Sequence, residues 1–248
     1  MTTGQTGRPR FLASVTSAEE AQRALAGGAA IIDCKNPAEG ALGALPPATV
    51  KAIATAVAGR ATVSATIGDL IPEPEAVTAA AAAMAKTGVD LVKIGFFEGG
   101  DAAATIRALG AHDFGRVRLV GLLLADRAPD FNLVGDMARA GFEGVMLDTA
   151  SKDGRALPDV LDPDRLAQFV RLAHDAGLFA GLAGALRSHH IPAVAAFGPD
   201  IMGFRGALCS GKRREGPLEE DAVRAIARDL QALDRPLSPR PAVPEAAS

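Results

Sequence analysis

Lysine is scarce in this chain, and two of its six lysines stand where a charge is costly to place. Lys35 ends the run AAIIDCK, and Lys93 interrupts DLVKIG, in a chain that elsewhere prefers arginine, with twenty of them. A structural ion pair is better served by Arg, whose planar guanidinium offers more donors and keeps its proton. Lysine alone offers an amine that can lose a proton and attack a carbonyl. Desolvation and a neighbouring cation both favour the neutral amine, so one lysine near another is a route to a Schiff-base nucleophile. Carboxylates occupy comparable places: Asp33 two residues before Lys35, Asp126 after RLVGLLLA, and Asp148 at the end of GVMLD. Such groups move protons in carbonyl chemistry.

Residues so far apart need a scaffold that brings strand ends together. Short β-rich runs recur about every 30 residues, separated by Ala-rich amphipathic stretches. The pattern predicts strands at 11–15, 30–35, 62–68, 91–96, 118–126, 144–149, 179–184 and 201–206. Helices are expected near 17–26, 47–58, 74–87, 101–111, 131–140, 162–176, 188–196 and 218–234. Ser17-Ala-Glu-Glu20 has the form of a capping box, Asp162-Pro163 places Pro in a first turn, and Gly88 and Gly177 sit where helices should stop. Eight β-α units in 248 residues predict an α/β fold, a single (β/α)8 TIM barrel over 11–234. A doubly wound open sheet is the alternative and usually needs fewer strands. Residues 1–10 read as a flexible arm, and the Pro-rich segment 235–248 as a disordered tail.

Strand side chains alternate between faces. Asp33 and Lys35 therefore share a face, with Cys34 on the other, and Lys93, Asp148 and Arg205 take equivalent places on other even-numbered strands. Interior layers of such barrels draw on alternate strands, so Lys35, Lys93, Asp148 and Arg205 are expected to converge at the C-terminal mouth, joined by Ser14, Thr66 and Asp126 from odd strands. A purely structural plug of ion pairs would account for the same charges, but two buried lysines suit it poorly. Small residues follow the last two strands in GLAGAL (181–186) and GFRGAL (203–208). Ala183, Gly184, Ala185, Gly206 and Ala207 would let backbone N–H groups approach a phosphate, with Lys212, Arg213 and Arg214 just beyond; tight turns alone would also use them.

Composition narrows the remaining possibilities. The formal net charge is −3, which argues against a nucleic-acid binder. No run of 18 apolar residues suggests a membrane span, and the polar start MTTGQTGRPR does not resemble a secretory signal. With only Cys34 and Cys209, a cytoplasmic chain with reduced thiols is expected. GALCSGKR (206–213) approaches a phosphate-loop motif but lacks the hydroxyl residue after Lys and follows the last strand. His189-His190 lacks metal-ligand spacing, and His112 and His174 read as surface cations near helix ends.

Several segments resemble one family. AGGAAIIDCKNPAEGALGA (26–44), VSATIGD (63–69), DLVKIG (90–95), MLDTASKDG (146–154), GLAGAL (181–186) and MGFRGALC (202–209) are similar to the (5-formylfuran-3-yl)methyl phosphate synthases of methanofuran biosynthesis, found in methanogens with relatives in methylotrophic bacteria. The resemblance runs from about Phe11 to Leu233. It implies a carbon–oxygen lyase that condenses two glyceraldehyde 3-phosphates into a furan aldehyde phosphate, losing phosphate and water. It further implies Lys35 as the Schiff-base lysine, Lys93 as a proton-transfer residue, Asp148 and Lys152 at the same mouth, and Asp33 and Asp126 at matching positions. On the residues themselves, an enamine formed at Lys35 would attack a second aldehyde, while Lys152, Arg205 or Lys212 hold the second triose. This chemistry needs no metal and no organic cofactor. The expected partner is the small triose phosphate, with no nucleic acid and no membrane, and Ala-rich outer helices suit a homo-oligomer. Another class I aldolase, a metal-dependent lyase using Asp33, Glu39 and Asp148, and a non-catalytic phosphometabolite-binding barrel are the alternatives.

Overall fold

A computed structural model describes residues 7–151 and 153–233. Eight parallel strands run in sequence order around a closed barrel: β1 (Arg10–Val15), β2 (Ile31–Cys34), β3 (Thr62–Thr66), β4 (Leu91–Phe96), β5 (Arg118–Leu124), β6 (Gly144–Asp148), β7 (Phe179–Leu182) and β8 (Ile201–Phe204), with β8 pairing back to β1. The helices are α1 (Ala18–Ala26), α2 (Pro47–Val57), α3 (Pro74–Ala85), α4 (Ala102–Ala111), α5 (Leu133–Arg139), α6 (Leu157–Val160), α7 (Pro163–Asp175), α8 (Ile191–Ala195) and α9 (Glu220–Gln231). Each expected strand is present, but most stop one or two residues early. Lys35 and Asp126 lie just past their strands, where the chain leaves the ladder at the barrel mouth. The segment expected as one helix at 188–196 is a 3₁₀ turn, Ser188–His190, followed by α8, and α6 was not foreseen.

Local signals account for the helix ends. Ser17 Oγ accepts the Glu20 N–H at 3.2 Å, and Asp162 accepts the Arg165 N–H at 2.9 Å. The expected capping box at α1 is only half formed, because the Glu20 carboxylate accepts from Thr16 rather than returning to Ser17. Gly88 and Gly177 follow α3 and α7 with φ of +92° and +76°, a conformation that costs glycine little. Arg10 already belongs to β1, and Arg8 donates to the Leu233 carbonyl at 3.1 Å, so the last residues of the expected N-terminal arm are tied down. Residues 1–6 and the tail 235–248 lie outside the described residues. No helix among the described residues is long and apolar enough to cross a membrane.

Period-two alternation divides the core in two. Ile32, Cys34, Val92, Ile94 and Leu147 face outward and pack under the helices. Leu12, Ile31, Leu91, Val120, Met146 and Ile201 fill the barrel interior. Leu42, from the loop after β2, is also fully buried in the interior cluster. It lies so close to Gly95 on β4 that a Cβ there would stand 2.4 Å from the Leu42 side chain. The open cavity is lined from β1, β2, β4, β6 and β8 and from the loops after β2, β6, β7 and β8, without β3 or β5.

Helix packing is equally close at Gly110 in α4, where a Cβ would stand 2.9 Å from the Ala140 carbonyl oxygen and 3.0 Å from its Cα. Alanine is a better helix former than glycine by about 1 kcal/mol, but overpacking against backbone costs about 1–3 kcal/mol. Gly110→Ala is expected to lower the unfolding temperature by about 2–6 °C. A variant as stable as the wild type would show that the α4–α5 contact relaxes freely.

Candidate active site

The interior above the apolar floor is polar because three adjacent strands place hydroxyl and carboxylate groups at one height. In the ladder, Asp33 on β2 stands opposite Ser14 on β1 and Ser64 on β3. Both hydroxyls donate to its carboxylate, Ser14 Oγ to Oδ2 at 3.0 Å and Ser64 Oγ to Oδ1 at 2.6 Å. Lys93 Nζ, from β4, donates to the same Oδ2 at 3.0 Å. Asp33 is wholly buried and Lys93 nearly so. Three donors converge on one buried carboxylate, so its oxygens are satisfied inside the protein.

A second pair stands at the wall of the cavity. Lys35 Nζ donates to Asp148 Oδ2 at 2.9 Å, and the two side chains are 10% and 8% exposed. Asp148 Oδ1 also accepts the Thr149 N–H at 2.8 Å, which orients the carboxylate. A cavity of about 600 Å³ opens over both pairs at the C-terminal ends of the strands, with Ser14, Asp33, Lys93, Lys35 and Asp148 in its lining. An amine and a carboxylate in hydrogen-bond contact at a cavity wall are the two groups that imine formation and proton transfer use.

The loops after β7 and β8 complete the rim. Ala183, Gly184, Ala185, Gly206, Ala207 and Lys212 all line the cavity. Gly184 has φ +111°, and a Cβ there would meet Thr149 at 2.8 Å. Ala185 also holds a positive φ, of 48°, a strained conformation for a residue with a side chain.

Three expected site residues serve the loops instead. Arg205 borders the cavity, but its guanidinium is committed to protein acceptors: Nε to the Arg214 carbonyl, Nη1 to the Ser14 carbonyl and Glu20, and Nη2 to Glu20 and the Gly216 carbonyl. All five donors are taken, so it anchors the β8 loop and has none left for a phosphate. Thr66 is fully buried and donates to the Gly43 carbonyl at 2.9 Å, which holds the β2 loop. Asp126, itself outside the cavity lining, accepts the N–H groups of Ala150 and Ser151, both at 2.7 Å, and so shapes the β6 loop. Burial pushes the Asp126 carboxyl up, but those donors outweigh it and hold it below the ordinary aspartate value. Lys152 lies outside the described residues.

Ser64 and Asp69 were not singled out from the sequence, and Arg214 was named only as a basic residue beyond the glycine-rich turns. Ser64 was legible, since Thr62, Ser64 and Thr66 share the inward face of TVSAT. Asp69 accepts the N–H groups of Ala41 and Leu42 at 2.8 and 2.6 Å, and a Cβ on Gly40 would strike its Oδ2 at 2.1 Å. Arg214 reaches across the mouth to the Gly40 carbonyl at 2.8 Å, tying the β8 loop to the β2 loop. No local pattern announces these tertiary contacts.

Cys34, Cys209 and His174 are not in the cavity lining. Cys34 faces the helices as expected, and burial, with the Asp33 charge, pushes its thiol far up. Cys209 is pushed up to about 11 by burial. His174 is no simple surface cation, since its Nε2 lies 2.8 Å from Asp200 Oδ2. GALCSGKR forms two 3₁₀ turns and a β-bridge from Cys209 to Leu218, not the strand–loop–helix of a phosphate loop.

The model of the 4-HFC-P synthase family matches residues 11–227. A Methylorubrum extorquens protein provisionally assigned as (5-formylfuran-3-yl)methyl phosphate synthase is 41% identical over 228 residues, covering 92% of this chain and 94% of its own. The (5-formylfuran-3-yl)methyl phosphate synthase of Methanopyrus kandleri is 38% identical over 235 residues, covering 90% of this chain and 99% of its own. The solved phosphoribosyl anthranilate isomerase of Thermus thermophilus superposes with a TM-score of 0.63 at 17% identity, covering 91% of this chain and 100% of that one, which shows the shared barrel fold alone.

The Glu20–Arg205 pair carries a test of the rim. Burial raises the Glu20 carboxyl, but the hydrogen bond and charge of Arg205 and the donors of Thr16 leave it below the ordinary glutamate value. A depressed carboxyl contributes stability above its unfolded value, and loses it as pH falls through the folded one. Glu20→Gln is expected to cost about 3 kcal/mol in urea unfolding at about pH 7, with the gap to wild type narrowing as pH falls below about 4. A gap that stays constant with pH would dissociate the pair's charge from stability.

Proposed function

The chain belongs to the 4-HFC-P synthase family, and from that premise we propose that it makes (5-formylfuran-3-yl)methyl phosphate from two molecules of glyceraldehyde 3-phosphate, a step of methanofuran biosynthesis, with Lys35 as the Schiff-base nucleophile. The observation that carries this reading is the Lys35–Asp148 contact of 2.9 Å on the wall of the cavity, above a second lysine already held by Asp33. Asp148 takes a proton from the Lys35 ammonium, and the amine adds to the C1 aldehyde of one triose. Loss of water leaves an iminium ion beside the Asp148 carboxylate. That cation acidifies the C2 hydrogen, whose removal expels the phosphate from C3.

The substitution pattern of the furan dictates how the two trioses join. Its formyl carbon and the next two carbons come from the triose that lost phosphate. The new carbon–carbon bond joins C3 of that triose to the central carbon of the other. The second triose must therefore react as its ketose isomer rather than as an aldehyde. Isomerisation needs a base at C2 and an acid at the C1 oxygen, roles open to the same lysine–aspartate pairs. Ring closure through the terminal hydroxyl, loss of two waters and hydrolysis of the imine release product and Lys35. In sum two trioses yield one furan phosphate, one phosphate and two waters, so no oxidant or reductant enters. Lys93, clamped by Asp33 with Ser14 and Ser64, supplies a fixed cation and a proton donor toward the substrate oxygens.

Borohydride added with glyceraldehyde 3-phosphate is expected to reduce the imine and leave a triose-derived adduct that peptide mass spectrometry places on Lys35. A near-ultraviolet band of conjugated aldehyde should grow over a low background, since the chain has no Trp and no Tyr. Lys35→Arg keeps the charge but should cut turnover by roughly 10⁴-fold or more. Asp148→Asn should cut it by roughly 10²–10⁴-fold while still allowing slow trapping. Wild-type turnover in Lys35→Arg, or an adduct at Lys93 instead, would overturn the assignment.

A further inference from the structure

A smaller cavity of about 220 Å³ adjoins the main one and shares Arg187, Ala207 and Lys212 with it. Its other lining residues are Ser188 and His189. It thus lies between the segment leading into α8 and the loop after β8. Its lining contains a guanidinium, an amine, an imidazole and a hydroxyl, but no carboxylate.

The charges of the main cavity sort unevenly around it. Lys35 faces Asp148, Lys93 faces Asp33, and Arg205 faces Glu20. The Arg187 guanidinium and the Lys212 ammonium, by contrast, make no hydrogen bond or ion pair with any described residue. Arg187 is half-buried, so its charge gives up part of its hydration with no protein acceptor in return. Its backbone is nonetheless fixed, because the Arg187 N–H donates to His190 Nδ1 at 3.1 Å. A planar guanidinium held at a cavity wall beside a free ammonium matches the oxygens of a phosphate.

We propose that Arg187, with Lys212, forms an oxyanion annexe that receives the phosphate expelled during the reaction. The inference rests on the proposed reaction, in which one triose loses its phosphate and the other keeps it. Two phosphates then need two places. The N–H groups around Gly184, Ala185, Gly206 and Ala207 offer a cradle for one, and the annexe offers the other. Exposed Ser188, His189 and Lys212 open the annexe to solvent, which suits a group that must depart. Inorganic phosphate, as product, would bind there and inhibit.

The test is calorimetric titration of the whole protein with inorganic phosphate, alongside furan formation, for wild type, Arg187→Ala and Arg187→Lys. Arg187→Ala should weaken phosphate binding at least fivefold, weaken phosphate inhibition by a similar factor and lower kcat, because the leaving group loses its cation. Arg187→Lys, which keeps the charge without the fork, should fall between. Unfolding temperatures should match, since the guanidinium bonds to no described residue. Unchanged phosphate affinity in Arg187→Ala would overturn the annexe. Lost phosphate binding with unchanged kcat and KM would reduce it to an adventitious anion site. Arg187-dependent phosphate binding in a wild type that makes no furan would overturn the leaving-group role and the furan reading together, leaving only an anion site.

Discussion

A carboxylate with no access to water must find every donor inside the protein, and Asp33 finds them on three other strands. Ser14, Ser64 and Lys93 reach it only while β1 to β4 keep their register. A slip of one residue would turn Asp33 into the helix layer and bring Cys34 inward, leaving a bare charge among Ile32, Val92 and their neighbours. The requirement to satisfy this group therefore holds four strands in place. It also places Lys93 on the floor and leaves Lys35, just past the end of β2, at the wall beside Asp148.

Carboxylates elsewhere show how burial and neighbours divide one residue type among different tasks. Asp69 and Asp126 each accept two consecutive backbone N–H groups, and so fix the β2 and β6 loops that flank the site. Glu20 does comparable work for the β8 loop, through Arg205 and the Leu218 N–H. Asp148 instead faces an amine at a cavity wall, where a proton has somewhere to go. These acids anchor the loops of the rim, while Arg187, Lys212 and Arg213, whose charged groups have no partner among the described residues, stand in the cavity lining.

Strand–helix alternation, the layer of charges and the family resemblance were all legible along the chain, and the closed barrel and the family match agree with them. Lys35, Lys93, Asp33, Asp148 and Ser14 were legible as a group because period-two alternation and parallel order place them on one inner face. Arg205, Thr66 and Asp126 were drawn into the same group by the same rule. Alternation assigns a face, and it says nothing about which acceptors will be nearby. Each of the three found backbone or carboxylate partners supplied by loops or by α1.

What the sequence alone determined is therefore the fold, the family and the inner face that carries the buried lysines and aspartates, because these arise from local periodicity and from short matched segments. Only the tertiary structure decided which charges pair with each other, which brace loops and which stay uncommitted. Those outcomes turn on contacts between residues far apart in the chain, such as Arg205 with Glu20, Arg214 with Gly40 and Asp69 with Leu42. A hydrogen bond depends on where two groups meet in space, and no spacing within one segment encodes that meeting.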